Sequence, residues 1–201
     1  MLKDIPKIVI NLPERTERLE RFKGEVAPLS WFGEFNLIKG VKATPSWHGI
    51  AQAHMNAIRH AKERGWDKVL IMEDDLYIPA KGKPVLDIYL DGAFSDKKIP
   101  EDWDILLGGV YYARTLEKYN NYWNKIGEFC ALHFYIVNSK VYDKLLTWDN
   151  TNHYDRWVGK LGLNCYVSNR FFAIQYDGYS DNVNKITTYN STYLTNFTIL
   201  K

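Results

Sequence analysis

The 201-residue chain is poor in the features by which many functions announce themselves. Its two cysteines, Cys130 and Cys165, have no CxxC spacing. That excludes a disulfide scaffold and leaves too few thiolates for a structural zinc cage, so both read as interior thiols. No apolar run approaches the roughly 20 residues that a bilayer-crossing helix needs. The opening Met1-Leu2-Lys3-Asp4-Ile5-Pro6 has neither the apolar stretch nor the small-residue cleavage site of a signal peptide, and a cytoplasmic location is expected. Charge of one sign is also missing. With 26 Lys and Arg against 24 Asp and Glu the net charge is +2, and no basic stripe is present for a nucleic acid to follow. No GxGxxG follows the first expected strand and no GxxxxGK[ST] occurs, so dinucleotide-binding and P-loop readings are unsupported. Internal repeats and linker-like composition are absent, and a single domain spanning 1–201 is expected.

What is present begins with aromatics: 7 Trp, 14 Tyr and 9 Phe, several of the tyrosines in polar stretches where a core role does not explain them. Hydrophobic patterning comes next. Lys7-Ile8-Val9-Ile10-Asn11-Leu12 reads as a buried strand, with Pro13 opening a charged helix over 14–26. A strand over 35–38 is followed by a helix over 47–64 capped by Ser46, then by the apolar strand Lys68-Val69-Leu70-Ile71-Met72. Strand and helix alternating in this order predict an α/β fold with a mostly parallel central sheet flanked by helices. Later strands are expected at 104–107, 131–137, 165–167 and 171–174, with helices over 140–146 and 154–161. Residues 110–123 read as a surface loop.

In such sheets ligands bind beyond the carboxyl ends of the strands, which brings Asn11-Leu12 and Glu73-Asp74-Asp75 to one crevice. Three adjacent carboxylates after a buried strand repel one another unless a cation compensates, and carboxylate oxygens suit manganese or magnesium. On an extended backbone Glu73 and Asp75 share a face and Asp74 points away; a solvated acidic turn is the plainer alternative. Arg15 and Arg18 follow the first strand in a first helical turn suited to a diphosphate, whereas Arg21 reads as part of a paired, solvated face. A metal-binding acidic turn beside such arginines describes a site for a nucleotide-diphosphate sugar. Sugar rings have apolar faces that stack on aromatics, so Tyr111, Tyr112, Tyr119, Tyr122 and Trp123 are candidates for acceptor contact, with Tyr111, Tyr112 and Trp123 foremost; anchoring of the loop to the core is the alternative.

These residues resemble the family 25 glycosyltransferases, which include lipooligosaccharide and collagen galactosyltransferases. Val9-Ile10-Asn11-Leu12-Pro13-Glu14-Arg15-Thr16-Glu17-Arg18 is similar to that family's I-N-L followed by R-x-x-R. Val69-Leu70-Ile71-Met72-Glu73-Asp74-Asp75 resembles its L-I-L-E-D-D. Gly49-Ile50-Ala51-Gln52-Ala53-His54 resembles G-C-x-x-S-H, with Ile50 and Ala53 departing from it. Trp103-Asp104-Ile105-Leu106-Leu107-Gly108, His133-Phe134-Tyr135-Ile136-Val137, Asp155 and Tyr179-Ser180-Asp181 are similar to later blocks.

The resemblance implies a GT-A-like fold, a nucleotide-sugar donor (a UDP-sugar foremost), a manganese-type cation and inversion at the anomeric carbon. Asp75 would be the direct metal ligand with Glu73 beside it, and Asn11, Leu12, Arg15, Arg18, Glu73 and Asp74 would line the donor site in a half spanning about 1–110. Gln175 and Ser180 are further candidates for donor hydrogen bonds. A separate carboxylate must serve as base for inversion, and Asp155 is the choice over Asp102 and Asp104, though Asp155 also suits a helix N-cap. The acceptor, a glycan or glycoconjugate hydroxyl, would occupy the half over 111–201. The compact build fits a bacterial or viral source and a bacterial or infected-host cytosol. His54 and His133 read either as phosphate or metal contacts or as interior histidines. A sugar nucleotidyltransferase and a non-catalytic sugar-binding module are the competing functions. The sequons at Asn190 and Asn196 are read as chance.

Overall fold

A computed structural model describes residues 2–180, 182, 185–188 and 198–201; Asp181, Asn190 and Asn196 lie outside the described residues. In chain order the elements are β1 (Lys7–Asn11), α1 (Thr16–Val26), β2 (Asn36–Lys39), α2 (Ser46–Glu63), β3 (Lys68–Glu73), β4 (Leu76–Tyr77), α3 (Pro84–Ala93), β5 (Ile105–Leu107), β6 (Tyr112–Lys118) and β7 (Trp123–Cys130). They are followed by β8 (Phe134–Asn138), α4 (Tyr142–Leu145), α5 (Tyr154–Gly159), β9 (Cys165–Ser168), β10 (Arg170–Phe171), β11 (Ile174–Gln175), β12 (Gly178–Ser180), β13 (Lys185–Thr187) and β14 (Thr198–Ile199).

Eight strands form the central sheet in the order β2-β1-β3-β8-β5-β9-β7-β6. The fold is α/β with a large, mostly parallel sheet: β1, β2, β3, β5, β6 and β9 run one way, and only β7 and β8 oppose them. Both faces of the middle strands are covered, which explains their near-continuous apolar runs. Ile8, Ile10, Val69, Ile71, Ile105 and Leu107 face one core with α2 and α5. Val9, Leu70, Met72, Leu106 and Ile136 face the other with α1 and α3. Alternation along each strand thus feeds two cores from one run of residues.

The small side chains Ala53, Ala57 and Ala61, spaced by four and buried, let α2 lie close to the sheet. Gly49 sets that approach at the helix start. A Cβ there would sit 2.0 Å from the Val41 carbonyl oxygen, so α2 seats against the 41–43 backbone only because no side chain intervenes.

Several local expectations are corrected. α1 begins at Thr16 with Arg15 as its N-cap, because Pro13 and Glu14 sit in a turn closed by Arg15 N–H donating to the Leu12 carbonyl at 2.8 Å. Pro45 occupies the N-cap of α2, and the Ser46 hydroxyl instead donates to the Asn182 carbonyl at 2.9 Å. Residues 110–123 are not a loop: β6 and β7 form a hairpin at the sheet edge, with Tyr112 paired to Cys130 and Lys118 to Asn124. Its polar outer strand hides strand character from a hydrophobicity reading, and Asn120 makes the turn by accepting the Tyr122 and Trp123 N–H groups. The helix α3 has no counterpart in the sequence reading; Pro84 at its first turn and buried Leu86, Tyr89 and Leu90 account for it. The expected strand over 171–174 is split between β10 and β11, which pair with different partners.

Candidate active site at the carboxyl edge

β1, β3 and β5 end at the same edge of the sheet, and antiparallel β8 begins there. Asn11, Glu73, Gly108 and His133 are therefore neighbours by topology. The segment carrying Ala173 and Gln175 then crosses this edge at close range. A Cβ on Gly109 would lie 2.3 Å from the Ala173 carbonyl oxygen, and one on Gly108 would lie 2.7 Å from the Ala173 Cβ. Two glycines at the end of β5 are what admit the crossing. Pairing of β11 with β4 then fixes Gln175 opposite Leu76, and Tyr176 N–H donates to the Asp75 carbonyl at 2.8 Å.

The three carboxylates divide two against one, although Asp74 and Asp75 lie in the turn between β3 and β4 rather than on the strand. The Gln175 side-chain amide nitrogen donates to Glu73 Oε2 at 3.0 Å and to Asp75 Oδ1 at 2.8 Å, so these two carboxylates converge on one point. Asp74 turns the other way and accepts from Asn11 Nδ2 at 2.7 Å. Arg18 reaches in from α1 and bridges the set, 2.5 Å from Asp74 Oδ1 and 2.9 Å from Asp75 Oδ2. Asn11 also donates to the Arg15 carbonyl at 3.0 Å, which ties the start of α1 to the end of β1.

One guanidinium does not balance three crowded carboxylates, and their acidities diverge. Burial, the neighbouring Glu73 charge and Asp74 together push Asp75 up to about 7 against the opposing pull of Arg18 and the Gln175 hydrogen bond. Asp74 is also raised, by burial, with Arg18 and Asn11 opposing. Burial acts on Glu73 in the same direction, but the hydrogen bond and charge of His54, with His133 and Arg18, outweigh it and hold Glu73 below the usual range.

The two histidines have distinct surroundings. His54 Nε2 lies 3.1 Å from Glu73 Oε1 and Nδ1 lies 2.9 Å from the Tyr135 hydroxyl. With Glu73 ionised, Nε2–H donates to it and the tyrosine donates to Nδ1, a relay that orients the carboxylate. His54 therefore faces a carboxylate rather than open space for phosphate. His133 is buried, and its pKa is lowered by that burial. Its Nε2 donates to the Ala173 carbonyl at 3.0 Å, which leaves the lone pair on Nδ1 without a hydrogen-bond partner among the described residues. Tyr111 stacks on this ring, with centroids 5.6 Å apart.

Asn11, Arg18, Glu73, Asp74, Asp75 and Gln175 are thus brought into one hydrogen-bonded cluster. Other candidates fall elsewhere. Arg15 lies at the rim, 5.8 Å above the Tyr179 ring and 3.6 Å from Glu17. Leu12 shields the turn against Gly40, and Ser180 sits on β12 facing Lys185 across a two-stranded ladder. Arg21 is not on a simple paired face but stands 4.5 Å above the Tyr176 ring. Asp155 is not the N-cap of α5, a position held by His153. Its Oδ2 accepts the Ala131 N–H at 2.8 Å, which ties it to the 131–133 loop whose His133 carbonyl accepts the Glu73 N–H at 3.1 Å. Asp102 and Asp104 lie at the opposite end of β5, where Asp104 accepts from Asn164 N–H.

Trp123 requires correction as an acceptor contact. It is fully buried, donates its indole N–H to the Ala93 carbonyl at 2.9 Å and packs edge-on against Phe94. Tyr112 remains exposed on the outer hairpin strand. Sequence reasoning did not find Tyr135, whose place in an apolar strand concealed its hydroxyl, and it left His54 undecided. The signal for His54 was its position on the inner face of α2.

Among the described residues no three His, Cys, Asp or Glu side chains form a ready-made metal cage. The donor set still fits a hard divalent cation. Glu73 Oε2 and Asp75 Oδ1 meet at the Gln175 amide nitrogen, and a magnesium-like ion that displaced this amide would take two oxygens from the protein, with phosphates and water completing the shell.

No protein-family model matches the sequence, and no curated protein matches it. The resemblance to the family 25 enzymes is carried by its motif residues alone. Among solved structures the chain is similar to A197 from STIV, at 10% identity, TM-score 0.51, over 90% of this chain and 92% of that one. It is also similar to a glycosyltransferase involved in glycosylation of the major capsid of PBCV-1, at 12% identity, TM-score 0.52, over 81% and 80% of the two chains. A third is Drosophila β-1,4-galactosyltransferase 7, in a mutant form complexed with manganese, UDP-Gal and xylobiose, at 14% identity, TM-score 0.50, over 98% and 82%. At these identities the likeness defines the fold, which is that of GT-A-like glycosyltransferases.

Proposed function

We propose that the protein is a metal-dependent, inverting glycosyltransferase that moves a sugar from a nucleotide-diphosphate sugar, with UDP-sugars foremost, to a hydroxyl of a glycan or glycoconjugate. The observation that carries this reading is the meeting of Glu73 and Asp75 at one shared amide, that of Gln175, at the carboxyl edge of β3 beside the first turn of α1. Manganese or magnesium held there by Asp75 and Glu73 would act as a Lewis acid toward the departing nucleoside diphosphate. Arg15 and the N-terminal N–H groups of α1 supply further positive potential for the diphosphate. Arg18 holds Asp74 and Asp75 in register, and His54, itself held by Tyr135, holds Glu73.

Inversion requires the acceptor hydroxyl to lose its proton on the face opposite the leaving group. Asp155 is the proposed base. Two backbone N–H groups, from Ala131 and Arg156, fix its carboxylate, and its loop abuts the metal-binding strand. Tyr111 and Tyr112, at the start of the hairpin, flank that loop through the Tyr111 N–H bond to the Cys130 carbonyl at 3.1 Å.

Hydrolysis of a UDP-sugar panel with manganese tests the reading. Slow release of UDP is expected, abolished in Asp75→Ala; undiminished turnover in that variant overturns the assignment. Asp155→Asn should still bind donor while losing transfer, and retained transfer rejects Asp155 as the base.

A further inference from the structure

Four rings outside the carboxylate cluster, Trp148 among them packed against the core beneath, gather at the carboxyl-edge end of α2. Trp47 and His48 open α2, Trp148 follows α4, and His153 precedes α5. Trp47 stacks on His153 with centroids 5.4 Å apart and planes inclined by 27°. Trp148 meets Trp47 edge-on at 5.8 Å, and His48 packs edge-on against both indoles at 4.0 and 5.7 Å. All four are half-buried, packed on one another and partly reached by solvent. The Trp148 indole N–H is already donated to the Asn152 carbonyl at 3.0 Å, which satisfies its polar end.

The cluster is wired to the carboxylates. Trp148 contacts Tyr154 edge-on at 6.3 Å, and Tyr154 stacks on His54 at 5.7 Å with planes 11° apart. His54 in turn bonds Glu73. Its side of the sheet matters more. α2 and α5 cover the face lined by Ile8 and Ile71, whereas α1, with Arg15 and Arg18, covers the face lined by Val9 and Met72. The carboxylates stand at the edge between them. A donor diphosphate held at α1 therefore approaches from one side of the sheet, and a molecule seated on the aromatic rim approaches from the other, beside Asp155. The two substrates would then reach the carboxylates from opposite sides of the sheet.

We propose that Trp47, Trp148 and His153 form a saccharide-stacking subsite that receives the acceptor glycan, a second aromatic wall in addition to the hairpin tyrosines. The proposal rests on the glycosyl-transfer reading. The ligand class follows from the chemistry: the C–H face of a pyranose stacks on indole and imidazole, and Asp149, Asn150 and Thr151 beside the rings offer polar groups to its hydroxyls.

The test uses the whole chain with methyl β-galactoside, methyl β-glucoside and methyl β-xyloside as probes, read by saturation-transfer NMR and tryptophan fluorescence without nucleotide or metal. At least one glycoside should receive saturation on its ring protons. Trp47→Ala and Trp148→Phe should each weaken that binding roughly three- to tenfold and raise the acceptor KM in parallel, with the donor KM unmoved. Absence of saturation transfer to all three probes overturns the subsite, as do wild-type glycoside binding and acceptor KM in both variants. Glycoside binding without any UDP-sugar turnover would reject the transferase reading while the saccharide site stands. Should Trp47→Ala not fold, wild-type protein labelled with 5-fluorotryptophan replaces it. Glycoside-induced shifts at Trp47 and Trp148 support the proposal, and shifts that spare both overturn it.

Discussion

The end of β3 and the β6–β7 hairpin use charge in opposite ways. At the end of β3 three carboxylates are drawn into the protein and held by one guanidinium, two amides and one histidine. On the hairpin, Arg114 and Glu128 pair at the surface at 3.2 Å, with side chains 66% and 41% exposed, and attachment to the body falls to the β7–β9 ladder and to buried Trp123, Ile126 and Phe129. Buried charge is expensive and its geometry exact; exposed charge is cheap and replaceable. The contrast separates residues that set chemistry from residues that set the fold.

Four substitutions and one titration can break that contrast. Trp123→Ala removes a fully buried indole and should cost about 3–5 kcal/mol of stability in urea denaturation, yet leave the metal and nucleotide affinity of the remaining folded protein intact. A fall in affinity in the folded fraction would show that the hairpin shapes the site. Arg18→Met strands Asp74 and Asp75 without their cation and should cost about 3 kcal/mol, part of it restored by manganese. Equal loss with and without manganese would show that the carboxylates do not share a cation.

The titration follows from Asp75. Its carboxyl keeps the proton in the folded protein up to about 7, whereas the unfolded chain releases it near the ordinary aspartate value of 3.8. The folded state therefore binds more protons between these limits, and this group's contribution to stability falls as pH rises through that window. The thermal midpoint of metal-free protein should drop as pH rises from about 4 to about 7, and manganese or Asp75→Asn should flatten the profile; a profile unchanged by either refutes the assignment. Tyr135→Phe deletes the hydroxyl that orients His54 and should lower manganese affinity about tenfold by calorimetry, with only about 1 kcal/mol of stability lost. Arg114→Ala completes the series: an exposed pair should change stability by less than about 0.5 kcal/mol, and a larger change would make the hairpin charges structural.

Much of this was legible in the chain itself. Three parallel strands, the helices between them and the meeting of Asn11 with the Glu73-Asp74-Asp75 segment at one edge follow from apolar runs and from where they stop. The division of Glu73 and Asp75 from Asp74 agrees with the alternation expected of an extended chain, although the structure makes it in the turn after β3. The hairpin escaped because Tyr112–Lys118 is exposed along most of its length and carries no apolar period. The position of Gln175 escaped for another reason: it depends on β11 pairing with β4 about a hundred residues away, and on two glycines that let the segment pass. Asp155 shows the limit of local rules. Its residue type and place near a helix start suit a cap, but the loop it tethers lies 24 residues upstream. Partners distant in sequence are set by packing, which no window of residues encodes.

Gly49 has a consequence that reaches both sides of the sheet. The clearance it provides, one hydrogen where any other residue places a carbon 2.0 Å from the Val41 oxygen, sets the depth at which α2 docks. Trp47 lies two positions before it and His54 five after. A single missing methyl group is thus a common tolerance for the carboxylate end and the aromatic rim, and a methyl restored there would shift the two together, as one hinge pin misaligns both leaves of a door.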